Sequence, residues 1–459
     1  MLDRDDLHHY QHRAVEFIKS HDNCALWVGM GLGKSVTTLT AFSDLLAAFD
    51  VRRMLVIAPL RVARKVWLDE IHTWAHLKHL SLSVIGGTEK QRVAAMRTPS
   101  DIHTINRENT QWLEAQFLTN GKQIMRWPWD LVVLDESQSF KSQSSKRWKS
   151  MRRLRRLFPR MVQLTGTPSP NGYGDLWSQL YLLDRGERLG ITEKAFTERW
   201  FDLEGYGQFK TPVLKRGAEP EIQRAVADIV LSLREEDYLD LPEVIETFVR
   251  VTLPESAMRT YREMAKKYTA EVAGTPLTAV NAGVLDGKLL QLANGAVYID
   301  GEEWVEFHTE KLDALEELIE GISGKMLVAY HYRHDLERIQ TVLRKGVRPW
   351  SILRSDKSFV EWASGNYEIG VLHPASAGHG LNDVYKAGAE DVIHFGLNPS
   401  LELYQQVNAR LTGGHRRAGK NIRIHHIVAD GTRDDHYVGL LQSKAATQDG
   451  LQQGLTSTA

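Results

Sequence analysis

The sequence predicts an α/β protein built from two doubly wound parallel-sheet lobes with a helical insertion between them. Three observations carry this. Short apolar runs separated by turn signals and helical patterns recur in two series, as buried strands of a parallel sheet do. The 459 residues exceed one ordinary core, and about 150 residues per domain gives two to three units. A content of 42% hydrophobic and 25% charged residues is the balance of a globular chain.

The first series of apolar runs lies at residues 24–28, 54–58, 131–134 and 161–164, and the second at 326–329, 370–372, 392–395 and 422–428. Between about residues 184 and 307 the rhythm gives way to helical and mixed segments such as 221–234 and 254–269. The expected organisation is a first lobe at 1–184, a helical bridge at 185–306, a second lobe at 307–444 and a polar, flexible tail at 445–459.

Net charge is -1, so a nucleic-acid surface has to arise from local segregation of charge. The single cysteine, Cys24, excludes an internal disulfide and a multi-cysteine metal site and fits a reducing compartment. The start, Met-Leu-Asp-Arg-Asp-Asp, has no apolar signal core. No stretch approaches the ~18 apolar residues of a membrane span, so an intracellular protein is expected.

The strongest local signal is Val28-Gly29-Met30-Gly31-Leu32-Gly33-Lys34-Ser35, directly after a strand-like run and before a helical one. In that context successive backbone N–H groups point at phosphates from a helix N-terminus. Lys34 is expected to reach the β- and γ-phosphates and Ser35 to hold magnesium. Val28 occupies the place where such loops usually have their first glycine.

An apolar run then ends in Asp135-Glu136. Asp135 at a strand tip can bind magnesium through water, and Glu136 can polarise an attacking water as a general base. Two acids in a solvated turn would look alike singly, but they follow a phosphate loop by about a hundred residues. A third run ends in Leu164-Thr165-Gly166-Thr167-Pro168, whose hydroxyls could relay the phosphate state.

Lys34-Ser35, Ala58-Pro59-Leu60, Asp135-Glu136-Ser137-Gln138 and Leu164-Thr165-Gly166-Thr167-Pro168 resemble motifs I, Ia, II and III of the Swi/Snf group of superfamily-two motors. Gln138 stands where that family usually has histidine. Tyr10-Gln11 is similar to the family's adenine-reading motif, which implies a base contact for Gln11; a polar N-cap or surface role is the alternative. Ala375-Ser376-Ala377-Gly378-His379-Gly380-Leu381-Asn382 resembles motif V, and Tyr404-Gln405-Gln406-Val407-Asn408-Ala409-Arg410 resembles the start of motif VI. Gly413 replaces the family's second arginine there, and a short insertion would move that arginine to Arg416 or Arg417.

The resemblance covers roughly residues 7 to 440 in motif order, and the run at 176–190 looks like the compact bacteriophage-encoded members. It implies two RecA-like lobes, ATP and magnesium as nucleotide and metal, Arg410 with Arg416 or Arg417 acting on the phosphates from the second lobe, and translocation on duplex DNA. Host cytoplasm is the implied location. A strand-separating helicase and an ATP-gated protein-remodelling switch remain alternatives. A small-molecule kinase would leave motifs V and VI without a purpose.

For DNA, residues 141–160 hold Lys141, Lys146, Arg147, Lys149, Arg152, Arg153, Arg155, Arg156 and Arg160 with no acid. Trp148, Met151, Leu154 and Phe158 fall at helical spacing, so one stripe can dock while the rest grips phosphates or is simply a solvated basic face. Arg61 and Arg64 are the other candidates. His72, His76 and His79 share a helical face but lack the acid or cysteine of a convincing zinc set.

Overall fold

The computed structural model describes residues 2–204, 211–238, 243–272, 275–279, 281–377, 388–398, 400–412 and 421–456. The chain divides into two compact units, Met1–Leu239 with Ala445–Ala459, and Asp240–Lys444.

The first unit is a seven-stranded sheet of β1 (Asn23–Val28), β2 (Met54–Ala58), β3 (Leu82–Ile85), β4 (Ile102–Asn106), β5 (Leu131–Asp135), β6 (Arg160–Thr165) and β7 (Val230–Leu233). Their order is β7-β1-β6-β5-β2-β4-β3 and every pairing is parallel. Alternation along each strand feeds two cores. Ala25, Trp27, Leu55, Ile57, Val132 and Leu134 pack on one face, and Cys24, Leu26, Val28, Val56, Val133 and Leu164 on the other. Both faces being buried is why these strands read as continuous apolar runs.

The second unit repeats the design with six parallel strands: β8 (Val244–Val251), β9 (Met326–Ala329), β10 (Trp350–Ile352), β11 (Ile369–Leu372), β12 (Asp391–His394) and β13 (Ile422–Ala429). The order is β8-β13-β12-β9-β11-β10. Met326, Val328, Ile369 and Ile393 face one core, and Leu327, Ala329, Val392 and Ile424 the other.

The stretch expected as a bridge does contain helices, among them Glu193–Trp200, Ala218–Val226, Glu255–Lys267 and Ala282–Asn294. It also supplies one edge strand to each sheet, β7 and β8, so the division between units runs through it rather than around it. The expected tail differs more. Residues from Ala445 are helical as far as Thr456, the end of helix Arg433–Thr456. Leu451 and Leu455, one turn apart, are buried in the first unit's core. Gln452 Nε2 donates to Gly166 O at 3.3 Å, and Gln223 Nε2 donates to Gly450 O at 3.2 Å. Two apolar anchors and hydrogen-bonding glutamines suffice to dock a helix whose overall composition is polar. Among the described residues no helix is long and apolar enough to cross a membrane.

Candidate active site

The carboxyl ends of β1, β5 and β6 carry the three signals of the first unit, as expected for a ligand site on a doubly wound sheet. β1 ends at Val28, and helix Lys34–Ala47 starts five residues after the loop begins at Gly29. Gly31 and Gly33 are left-handed, with φ 83° and 77°. A Cβ at Gly33 would also run into Gln11 Nε2, so this position excludes a side chain on two counts. Lys34 Nζ donates to Val28 O at 2.9 Å and Gly29 O at 3.2 Å, folding the ammonium back over the loop. Ser35 follows in the first helical turn.

Gln11 is buried and tied to this loop. Its Nε2 donates to Leu32 O at 3.2 Å, and its Oε1 accepts the His8 N–H at 2.8 Å at the start of helix His9–Ser20. The side chain therefore both caps its own helix and holds Leu32. Gly29, Met30, Gly31, Leu32, Gly33, Lys34 and Ser35 are thus assembled as one strand–loop–helix turn.

Asp135 closes β5 and Glu136 follows it in a left-handed conformation, φ 54°. Burial raises the Asp135 carboxyl above its ordinary range, with the Glu136 charge pushing the same way against Lys34 and the donors of Trp67 and Glu136. Trp67 Nε1 donates to Asp135 Oδ2 at 3.1 Å, and Glu136 N donates to Oδ1 at 3.0 Å. Gln138 Nε2 donates to Glu136 Oε2 at 2.7 Å. Thr165 Oγ1 donates to Gln138 Oε1 at 2.8 Å and accepts from Thr167 N at 3.0 Å. Gln138, in the place of a usual histidine, therefore links the acid pair to the threonine turn. That turn lies beside the loop: a Cβ at Gly166 would stand 3.6 Å from Lys34 Nζ.

A second buried bridge runs in parallel. Ser137 Oγ donates to Gln179 Oε1 at 3.2 Å, and Gln179 Nε2 donates to Pro168 O at 2.7 Å. Trp67 and Gln179 were not singled out from sequence. The one available signal for Gln179 is an amide inside the mostly apolar helix Leu176–Asp184, since a buried amide needs partners. Trp67 gave none, because a tryptophan among apolar residues reads as core.

In the second unit Arg410 lies on helix Leu401–Thr412. Tyr404 and Asn408 of that helix meet two stacked rings, one at the end of β12 and one in the middle of β13. His394 Nε2 is 2.8 Å from Asn408 Oδ1, and His426 Nε2 is 3.0 Å from Tyr404 Oη. Arg416 and Arg417 lie outside the described residues, as do residues 378–382 of the motif V resemblance.

The basic segment forms helix Lys146–Leu154 and buries Trp148, Met151 and Leu154 as expected. Part of its charge serves the fold: Arg155 is buried and Arg160 half-buried, while Arg153 and Arg156 stay exposed although each has a partner. Arg155 is buried, its guanidinium donating to Leu182 O, Leu183 O at 2.6 Å, Phe158 O at 3.2 Å and Asn23 Oδ1 at 2.7 Å. Burial brings it down to about 10. Arg160 caps the helix end at Ile18 O, Lys19 O and His21 O. Arg153 pairs with Glu114, and Arg156 donates to Gly121 O. Lys146, Lys149 and Arg152 are exposed. Arg155→Ala is accordingly expected to destabilise the first unit by about 1–3 kcal/mol for each buried carbonyl left without a donor, as read by denaturant unfolding. A change within 0.5 kcal/mol, the ordinary range for surface substitutions, would return Arg155 to the surface class.

The donor set suits a nucleotide with a hard cation: left-handed glycines free the loop N–H groups, and Ser35 and Asp135 offer oxygens only. Fold and site together define a protein of two parallel α/β units with a glycine-rich strand–loop–helix turn on the first.

The chain belongs to the SNF2-related family, whose "SNF2-related domain" description matches residues 10–294. It is similar to protein p41 of Acyrthosiphon pisum secondary endosymbiont phage 1, 36% identical, across 97% of this chain and 98% of that protein. Similarity to Helicase swr1 of Emericella nidulans, 28% identical, covers 47% of this chain and 13% of that protein, so only a small part of that larger protein is represented. Among solved structures it is similar to the Sulfolobus solfataricus SWI2/SNF2 ATPase core in complex with dsDNA, with TM-score 0.45, 22% identity, and coverage of 98% of this chain and 94% of that one. This is a helicase-like ATPase/translocase domain of a family whose members generally hydrolyse ATP with magnesium.

Proposed function

We propose that this chain binds magnesium ATP on its first lobe, hydrolyses it, and uses the turnover to move along duplex DNA. What supports the reading is that the glycine loop with Lys34, the oxygens of Ser35 and Asp135, and a Glu136 held by Gln138 all meet at adjoining strand ends. The loop N–H groups receive the phosphates, and Lys34 exchanges its carbonyl partners for β- and γ-oxygens. Ser35 and Asp135 would hold magnesium, which supplies charge neutralisation on the phosphates when bound. Glu136 accepts a proton from the attacking water.

Gln11, already bonded to the loop, adds an adenine contact with its remaining amide capacity. Arg410 and one of Arg416 or Arg417 bring permanent positive charge to the phosphates from the second lobe, making hydrolysis depend on both lobes. DNA phosphates meet the exposed Lys146, Lys149 and Arg152, with Arg61 and Arg64 after β2 as further contacts.

The deciding experiment is ATP turnover by the full chain with duplex DNA, single strands or neither, at stated salt. Strongest stimulation by duplex is expected. Stimulation by single strands alone would favour a strand-separating helicase, and indifference to both a protein-remodelling switch. The track is tested by Lys149→Glu with Arg152→Glu, which should lower the log–log salt slope of duplex binding by about 2, near 0.9 per lost phosphate contact. An unchanged slope would leave this helix a solvated basic face.

A further inference from the structure

We infer that Trp67 is a positioning residue for Asp135, orienting the carboxylate that faces the magnesium; this rests on the nucleotide reading above. After β2 the chain enters a widened π turn, Val62–Val66, and only then helix Trp67–Thr73. One extra residue in a helical turn rotates everything beyond it by about 100°. The rotation points Trp67 into the lobe, where its ring is wholly buried, and Nε1 meets Asp135 Oδ2 at 3.1 Å. The turn is anchored from the neighbouring strand β4, where Thr104 Oγ1 donates to Ala63 O at 2.5 Å.

The consequence is geometric. With Trp67 on Oδ2 and the Glu136 N–H on Oδ1 at 3.0 Å, each carboxylate oxygen has one fixed donor, so the carboxylate plane is set from two directions. An indole has a single polar atom, and here it is directed at the acid on a strand tip. Phenylalanine would supply much of the same apolar packing without that constraint. Groups that orient a metal's ligands typically change metal affinity by about 10- to 100-fold when removed.

The test measures Mn²⁺ affinity of the full chain saturated with ADP, by electron paramagnetic resonance, beside ADP affinity in EDTA and the thermal midpoint. The benzothienyl analogue of tryptophan, with sulfur in place of N–H, is installed at position 67 so that ring volume is kept, and Trp67→Phe is run in parallel. Both should weaken Mn²⁺ binding by about tenfold or more, with ADP affinity in EDTA unchanged and, for the analogue, an unchanged thermal midpoint. Mn²⁺ affinity in the analogue equal to that of the unsubstituted chain overturns the inference, as does an equal loss of ADP affinity in EDTA, which would assign Trp67 to packing. If the unsubstituted chain fails to bind ADP at all, the nucleotide reading itself fails and carries this inference with it.

Discussion

Glu136→Gln is expected to bind magnesium ATP nearly as the unsubstituted chain does and to turn it over about 10²- to 10⁴-fold more slowly, the range for a positioned general base. Glutamine keeps the length of the side chain but cannot take a proton from water. The position is demanding. Glu136 occupies the left-handed region at φ 54°, a conformation that costs a non-glycine residue of order 1–3 kcal/mol and persists only where the surroundings impose it. The surroundings here are the Gln138 amide on its carboxylate and, behind Gln138, the hydroxyl of Thr165. Lys34→Ala provides the contrast, because it removes a phosphate contact and should abolish nucleotide binding. A fluorescent-nucleotide titration with single-turnover hydrolysis separates the two. Equal loss of ATP affinity in both variants would remove Glu136 from the role of base.

The second unit should come apart in mild acid before the first. His308, His394 and His426 are buried, and burial lowers their rings to about 4, 4 and 3 from an ordinary 6.5. The sign follows directly. The folded unit keeps these rings neutral, whereas the unfolded chain takes up protons below about pH 6.5, so their contribution is complete above that value and is lost as pH falls toward 4. At pH 5 a ring lowered in this way has lost about 2 kcal/mol, and His394 and His426, stacked on each other, titrate as a pair. His394 and His426 meet Asn408 and Tyr404, so the helix that carries Arg410 is directly affected. Amide hydrogen exchange at pH 7.5 and pH 5 should show protection lost in β12 and β13 while β1 and β5 keep theirs. Uniform protection at both values would mean that water reaches these rings and relieves the burial that lowers them.

What the sequence by itself determined was the repeated rhythm of buried strands and the loops that follow them. The runs at 24–28, 54–58, 131–134 and 326–329 fall within strands whose two faces are both covered, so nearly every residue had to be apolar and the signal was continuous. β4, with the sequence Ile-His-Thr-Ile-Asn, was missed because polar residues interrupt it. His103 is satisfied instead by the Trp129 indole, 3.2 Å from its Nδ1. The edge strand β8, Val-Ile-Glu-Thr-Phe-Val-Arg-Val, is likewise interrupted by polar residues and reads from sequence as part of a bridge.

Chemistry confined to one turn was legible too, since the backbone of residues 29–35 needs only its glycines and its flanking strand and helix. Tertiary structure alone decided which side chains hold that chemistry in place. Trp67 reaches Asp135 across 68 positions, and Gln179 reaches Ser137 across 42. It also decided which arginines of the basic segment remained outside. A guanidinium looks the same in sequence whether it faces solvent or, like Arg155, caps buried carbonyls, because that choice depends on acceptors that arrive from elsewhere in the fold.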